Sequence, residues 1–299
     1  MAQFLWLLAA SPALLLPQRA PSVGQRASVP ALTAATTAAE SELLAAIDRA
    51  AAFAKLCAAG ESPLAPVTNL SLSVATTRYG RSARTAAHLQ EQVEACALAL
   101  EAESEPLQLA GDDPRAEAVD GAWRLCYSDA SEITNLVQLP LGLRLRAVFQ
   151  RVDLRSGTLE NRAEVGHRWR LAAQRTRVVA RAWADAPGAI NRAGVANAGN
   201  RLAVQFTKVV VSLRRLLCFP TPFLRIVARP NGPLEKEGRV PTLDVTYVSE
   251  ALRVSRGGDG SLFVLRRVDD DLGPLETPGD AVVQSSRGFD GATGKIERV

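Results

Sequence analysis

The side chains that most often carry chemistry are scarce in this sequence, and their spacing gathers no catalytic set. Two histidines, His88 and His167, stand far apart. Cys57, Cys96, Cys126 and Cys218 form no Cys-x-x-Cys pair and lack the density of a disulfide framework. They read as small apolar packing residues of a reducing compartment. A metal centre or a histidine relay starts with little material, so neither metal nor cofactor is expected. Gly-x-Ser-x-Gly, His-Glu-x-x-His and P-loop patterns do not occur. The run Gly257-Gly258-Asp259-Gly260 has the composition of a phosphate loop, but a second strand pattern follows it where such a loop needs a helix N-terminus. It reads as a hairpin turn. Asp153 and Glu160 flank a turn between two strand patterns, a setting for bonds to backbone or arginine more than for a shared proton. Nothing nearby recruits His167 as a base. The expectation is a protein that is not an enzyme.

Arginine supplies almost all the positive charge, since lysine occurs only at 55, 208, 236 and 295 and the net charge is +4. Arg168, Arg170, Arg175, Arg177 and Arg181 form the one set that suggests a phosphate track. Glu160, Glu164 and Asp185 lie among them and no aromatic platform alternates with them, so a solvated sheet face is expected and no nucleic acid. Residues 214–229, RRLLCFPTPFLRIVAR, mix arginines with Leu216, Leu217, Phe219 and Phe223. Two readings stand: an interfacial segment that inserts these four into a lipid surface, or a loop that packs Phe219 and Phe223 onto the folded body.

The elements that must position these residues change period along the chain. Residues 4–16 are an apolar run interrupted by proline, too short to span a bilayer, and no acidic residue precedes Glu40. We expect 1–39 to be a signal-plus-transit-like targeting region removed from the mature protein, with a plain secretory signal and a plain transit peptide as competing readings. Residues 40–110 read as helical: one helix capped by Ser41 and stopped at Gly60, and a second over 85–103 with Leu89, Val93 and Leu100 on one stripe. A linker is expected over 101–120. From Gly121 the period falls to 2, and short strands follow one another with no helix between them. That pattern predicts an antiparallel meander over 111–268 that closes when the terminal hairpin, 252–268, pairs with the strand at 121–128. Residues 269–299, rich in Gly, Pro, Asp and Ser, read as a flexible tail.

Three segments, in order, resemble the plastid lipid-associated protein family, also called fibrillins or plastoglobulins. They are Gly121-Ala122-Trp123-Arg124-Leu125-Cys126-Tyr127-Ser128, then Val148-Phe149-Gln150-Arg151-Val152-Asp153 with Leu159-Glu160-Asn161, then Leu243-Asp244-Val245-Thr246-Tyr247 with Leu252-Arg253-Val254-Ser255-Arg256-Gly257 and Leu262-Phe263-Val264-Leu265. The resemblance implies a mainly β fold: a lipocalin-like antiparallel barrel preceded by N-terminal helices. It also implies a place at plastoglobules or thylakoids of a plastid, and non-catalytic binding or organising of isoprenoid or other apolar lipids. Quinones, tocopherols and carotenoids are the expected classes of partner, at a peripheral membrane or lipid-droplet surface. By the same analogy Trp123, Leu125, Tyr127, Phe206 and Leu252 line the cavity, and Arg256 stacks on Trp123 to close the barrel. A structural coat protein with a filled barrel is the alternative. An enzyme of plastid lipids would need a polar constellation that the sequence does not offer. Residues 219–238 stand out as an insertion.

Overall fold

Read strand by strand from Gly121, the period-2 alternation becomes a closed eight-stranded barrel. A computed structural model describes residues 34–55, 64–134, 143–167, 169, 171–217, 219–228, 240–269, 272, 273, 275 and 295–297. Three helices lead: α1 (Ala34–Lys55), α2 (Asn69–Tyr79) and α3 (Ala83–Ala102), with the two-residue strand β1 (Val67–Thr68) before α2. A 3-10 turn, Pro114–Val119, feeds β2 (Gly121–Ser128), and one turn of helix, α4 (Ser131–Thr134), follows it. Then come β3 (Leu143–Asp153), β4 (Thr158–His167), β5 (Ala172–Ala184), β6 (Arg201–Leu216) and β7 (Phe219–Ala228). β8 (Thr242–Val248), β9 (Leu252–Gly257) and β10 (Leu262–Val268) complete the barrel, and β11 (Lys295–Glu297) pairs with β7.

The ring runs β2-β3-β4-β5-β6-β8-β9-β10 and returns to β2. As the sequence predicts, β10 pairs antiparallel with β2, Arg267 opposite Trp123. The last seam is narrow: β6 and β8 share three residue pairs, Arg201 with Asp244, Leu202 with Leu243 and Ala203 with Thr242. The far half of β6 pairs instead with β7, and β3, β4 and β5 run on beside it, so a flap of five long strands continues past the barrel. The stretch taken for an insertion is thus partly a strand. Pro220 and Pro222 withhold backbone donors there without breaking a central ladder, because β7 lies outside the ring.

The helices cover the outer face of β8, β9, β10 and the end of β2. Leu43, Ile47, Leu72, Leu89, Val93 and Leu100 join Tyr127, Tyr247, Leu252, Val254 and Val264 in one apolar cluster. Each fully buried leucine there contributes about 1.5–3 kcal/mol relative to exposure. Ser41 is not the cap of α1; it lies inside a helix that already runs from Ala34. α2 is a helix the sequence reading passed over. Thr68 and Ser71 form its capping box, and Gly80, at φ 66°, ends it in the left-handed region that glycine adopts freely. The remainder of the expected targeting region, 1–33, lies outside the described residues, as does Gly60.

Candidate lipid-contact site

Two regions of this fold carry unusual side chains: the barrel lumen and the tip of the flap. In the lumen Trp123 is fully buried, and its indole N–H donates to the Val119 carbonyl at 2.9 Å. The 3-10 turn and Leu107 plug this end of the barrel against Val152, Leu159, Leu202 and Val245. Two guanidinium groups flank the Trp123 ring, Arg267 at 4.2 Å and Arg253 at 4.9 Å from its centroid. Arg267 donates to the Asp120, Ala118 and Glu250 carbonyls. It therefore ties β10 to the plug. Arg253 reaches across the lumen to Gln150 on β3, whose amide in turn donates to Asn161 on β4 at 2.9 Å.

The expected Trp123–Arg256 stack is replaced. Arg256 faces the helices, where it pairs with Glu101 at 2.9 Å and Glu94 at 2.8 Å, both on α3. The parity of β9 is the reverse of the one expected: Leu252, Val254 and Arg256 point at the helix layer while Arg253 and Ser255 point inward. Two cavity candidates move with that face. Leu252 lies in the helix cluster, and Tyr127 does too, donating from its hydroxyl to Asn69 at 3.1 Å. Trp123 and Leu125 pack with Leu145, Val148, Val165 and Leu265 in the lumen, and Phe206 joins the cluster around Leu202 and Val204.

The charged outer face of β4 and β5 is not the solvated sheet expected. Glu160 is 1% exposed and pairs with Arg177 at 2.7 Å. Glu164 accepts from Arg162 and Arg175; burial raises its pKa, but the two guanidinium groups outweigh that and hold the carboxyl below its ordinary value. Arg162 and Arg151 also donate to the Leu272 and Gly273 carbonyls, so residues after β10 lie across this face.

Among the described residues Asp120, beside the plug, is the carboxyl pushed far the other way. Burial lifts its pKa from 3.8 to about 6, although it accepts a hydrogen bond from the Leu154 backbone. The folded state then holds a proton that the unfolded chain releases near 3.8, so this group stabilises the fold at low pH and the contribution is lost as pH rises through about 6. Asp120→Asn is accordingly expected to raise the melting temperature at pH 7 and to show little difference from the parent at pH 3, below the unfolded-chain value. An equal gain at both pH values in thermal scans would rule this out.

At the tip, the β4–β5 and β6–β7 turns stand side by side, since Ala172 pairs with Leu216 and Leu216 with Phe219. Trp169 is 66% exposed, Leu217 67% and Phe219 73%, with Leu216 and Leu171 less so. Leu217 also takes φ 48°, a conformation that costs a branched side chain about 1–2 kcal/mol. Exposed Arg214 and Arg215 border this patch, and with Arg146, Arg175 and Glu164 they line a cleft of about 280 Å³. The Phe223 side chain lies outside the described residues. No helix among the described residues is long and apolar enough to cross a membrane.

The family model PAP_fibrillin matches residues 67–266, the whole span from β1 to β10. The chain belongs to the PAP_fibrillin family. No curated protein matches it. Fibrillins are plastid lipid-associated proteins and generally structural, which fits a barrel whose conspicuous groups are apolar surface and buried arginine. In this fibrillin the matched region takes in both the lumen and the flap.

Proposed function

We propose that this fibrillin is a non-catalytic protein that docks on a plastid lipid surface, plastoglobule or thylakoid, with the flap tip, and binds or organises apolar lipids of the quinone, tocopherol or carotenoid class. One observation carries the reading: Trp169, Leu171, Leu216, Leu217 and Phe219 are all solvent-exposed at one end of the molecule, with Arg214 and Arg215 beside them. Exposed apolar groups in such a cluster need a reason. Tryptophan and leucine at a polar–apolar boundary insert to headgroup depth, and arginines there meet anionic headgroups. The strained backbone at Leu217 points the same way, because stability alone favours glycine at that φ.

Vesicle flotation tests it. With vesicles containing anionic lipid, the Leu217→Asp, Phe219→Asp double variant is expected to partition at least about tenfold less than the parent, since each inserted side chain contributes about 1.5–3 kcal/mol. Leu217→Gly is the folding control, with an unchanged or raised melting temperature and weaker flotation. A blue shift of Trp169 emission on mixing gives an independent readout. Undiminished flotation of the double variant would remove the tip from the proposal.

The coat-protein reading retains support from one feature: around Trp123 the lumen is filled, with Trp123, Leu125, Leu265 and Val245 at most 3% exposed. Native mass spectrometry after exposure to plastid lipid extract separates the two. One lipid per chain favours a binding lumen, and flotation without stoichiometric lipid favours the coat.

A further inference from the structure

Arg253 is completely buried in the lumen, and no carboxylate pairs with it among the described residues. One of its nitrogens, Nη2, donates to Gln150, while Nε and Nη1 have no partner. Two residues on, along the same inward face of β9, the Ser255 hydroxyl is also fully buried and also unpartnered. Buried polar groups are almost always hydrogen-bonded, and buried charges almost always paired. Here a cation, a neighbouring hydroxyl and an amide lie together on the lumen side, and the charge acting on Arg253 is a second cation, Arg267, which contacts the same Trp123 ring. Barrel closure does not account for Arg253. Arg267 already stacks on Trp123 and ties three carbonyls of the plug and the β8–β9 turn.

The surroundings suit one kind of occupant. Exposure is nil at Trp123 and Arg253 and partial at Gln150, Asn161 and Ala163, while Leu145, Val148 and Val165 are buried. The guanidinium is thus fully buried beside an amide that is only partly so. Burial and the adjacent Arg267 push the Arg253 pKa down to about 9, which still leaves it a cation at neutral pH. An anionic group arriving there gains charge-assisted hydrogen bonds in a low-dielectric interior, where they are strongest. Gln150, hydrogen-bonded to both Arg253 and Asn161, is the side chain that must yield or share its place.

We propose that the lumen binds the ionised head of an acid lipid, a long-chain carboxylate held by Arg253 with Ser255 and Gln150. This deepens the lipid-binding reading above and rests on it.

Isothermal titration of the full chain with hexadecanoate and with hexadecan-1-ol, which share a chain and differ in head, tests the site. The acid is expected to bind one to one and roughly tenfold or more tighter than the alcohol. Acetate at the same concentration is expected not to compete, which assigns the site to a lipid head over a free anion. In Arg253→Met the preference for the acid is expected to vanish while the alcohol binds as before. Should that variant fail to fold, Ser255→Ala, which removes only an unpartnered hydroxyl, is expected to weaken the acid a few-fold and leave the alcohol unchanged. Equal binding of acid and alcohol by the parent protein overturns the proposal, as does binding of neither or effective competition by acetate. Binding of neither with flotation intact leaves the surface reading standing; acid-selective binding with flotation lost does the reverse.

Discussion

Asp244→Asn is expected to cost this protein about 3–5 kcal/mol of folding stability, the loss typical of a buried ion pair deprived of one member. Asp244 accepts from Arg201 through both oxygens, at 2.5 and 2.9 Å, and Arg201 is fully buried. The guanidinium also donates to the Ala189 and Val195 carbonyls, and Asn191 donates to Asp244, so the loop 185–200 is folded over the outer face of the seam. That seam has only three residue pairs between β6 and β8. An amide in place of the carboxylate keeps the shape and leaves a buried cation without its hydrogen-bonded counter-charge, Asp185 acting on it only through space. Urea unfolding measures the loss, and the double variant Arg201→Met, Asp244→Asn is expected to regain part of it because the stranded charge is gone. A loss below 1 kcal/mol for the single variant would show that the seam does not depend on the pair.

The barrel was legible because period 2 persists through strands that bury one face against the lumen and show charge on the other. β4 is the clearest, with Leu159, Asn161, Ala163 and Val165 inward and Glu160, Arg162 and Glu164 outward. β9 misled for a physical reason. Both its faces are buried, the inner one by the barrel and the outer one by α1–α3, and the usual polarity is reversed: the apolar side faces the helices and the arginine and serine face the lumen. Alternation alone does not choose between two buried faces. A usable signal did exist. Glu94 and Glu101 are seven residues apart, hence on one face of α3, and that face needs a basic partner such as Arg256.

Other misses have similar causes. α2 is too short and too rich in Ser and Thr to show a stripe, yet its Thr68-x-x-Ser71 box was in the sequence. The role of Asp244 was invisible because its partner Arg201 is 43 residues away, beyond a loop whose fold comes from Asn191 and Asn197 contacts. The tip was half legible. Residues 214–229 gave the apolar and basic composition, but only the pairing of neighbouring hairpins brings Trp169 and Leu171 beside Leu217 and Phe219. The proposed docking tip and the lumen therefore draw on different parts of the same long strands, and a variant in one region is expected to leave the other intact.

Trp123→Ala is the change expected to test that separation most severely. Removing a fully buried tryptophan costs about 3–5 kcal/mol through lost burial and the cavity left behind. Here the ring also contacts two guanidinium groups, each contact contributing about 0.5–2 kcal/mol. Without it Arg253 and Arg267 lose their π contact, and the Val119 carbonyl loses its donor. Since a domain of this kind is stable by about 5–15 kcal/mol in all, the variant is expected to be marginal at 25 °C. Trp123→Phe keeps a ring beside the arginines and is expected to recover more than half of the loss, which a simple filled cavity and a cation–π stack both contribute to. Trp123→Leu fills comparable space without a π face, so the difference between the Phe and Leu variants in urea unfolding isolates the stack. If Leu serves as well as Phe, the two arginines are held by their hydrogen bonds alone, and the tryptophan is there only as volume. If Phe is better while Trp169 emission still shifts with vesicles, the lumen and the tip are energetically independent, as their separate positions in the fold imply.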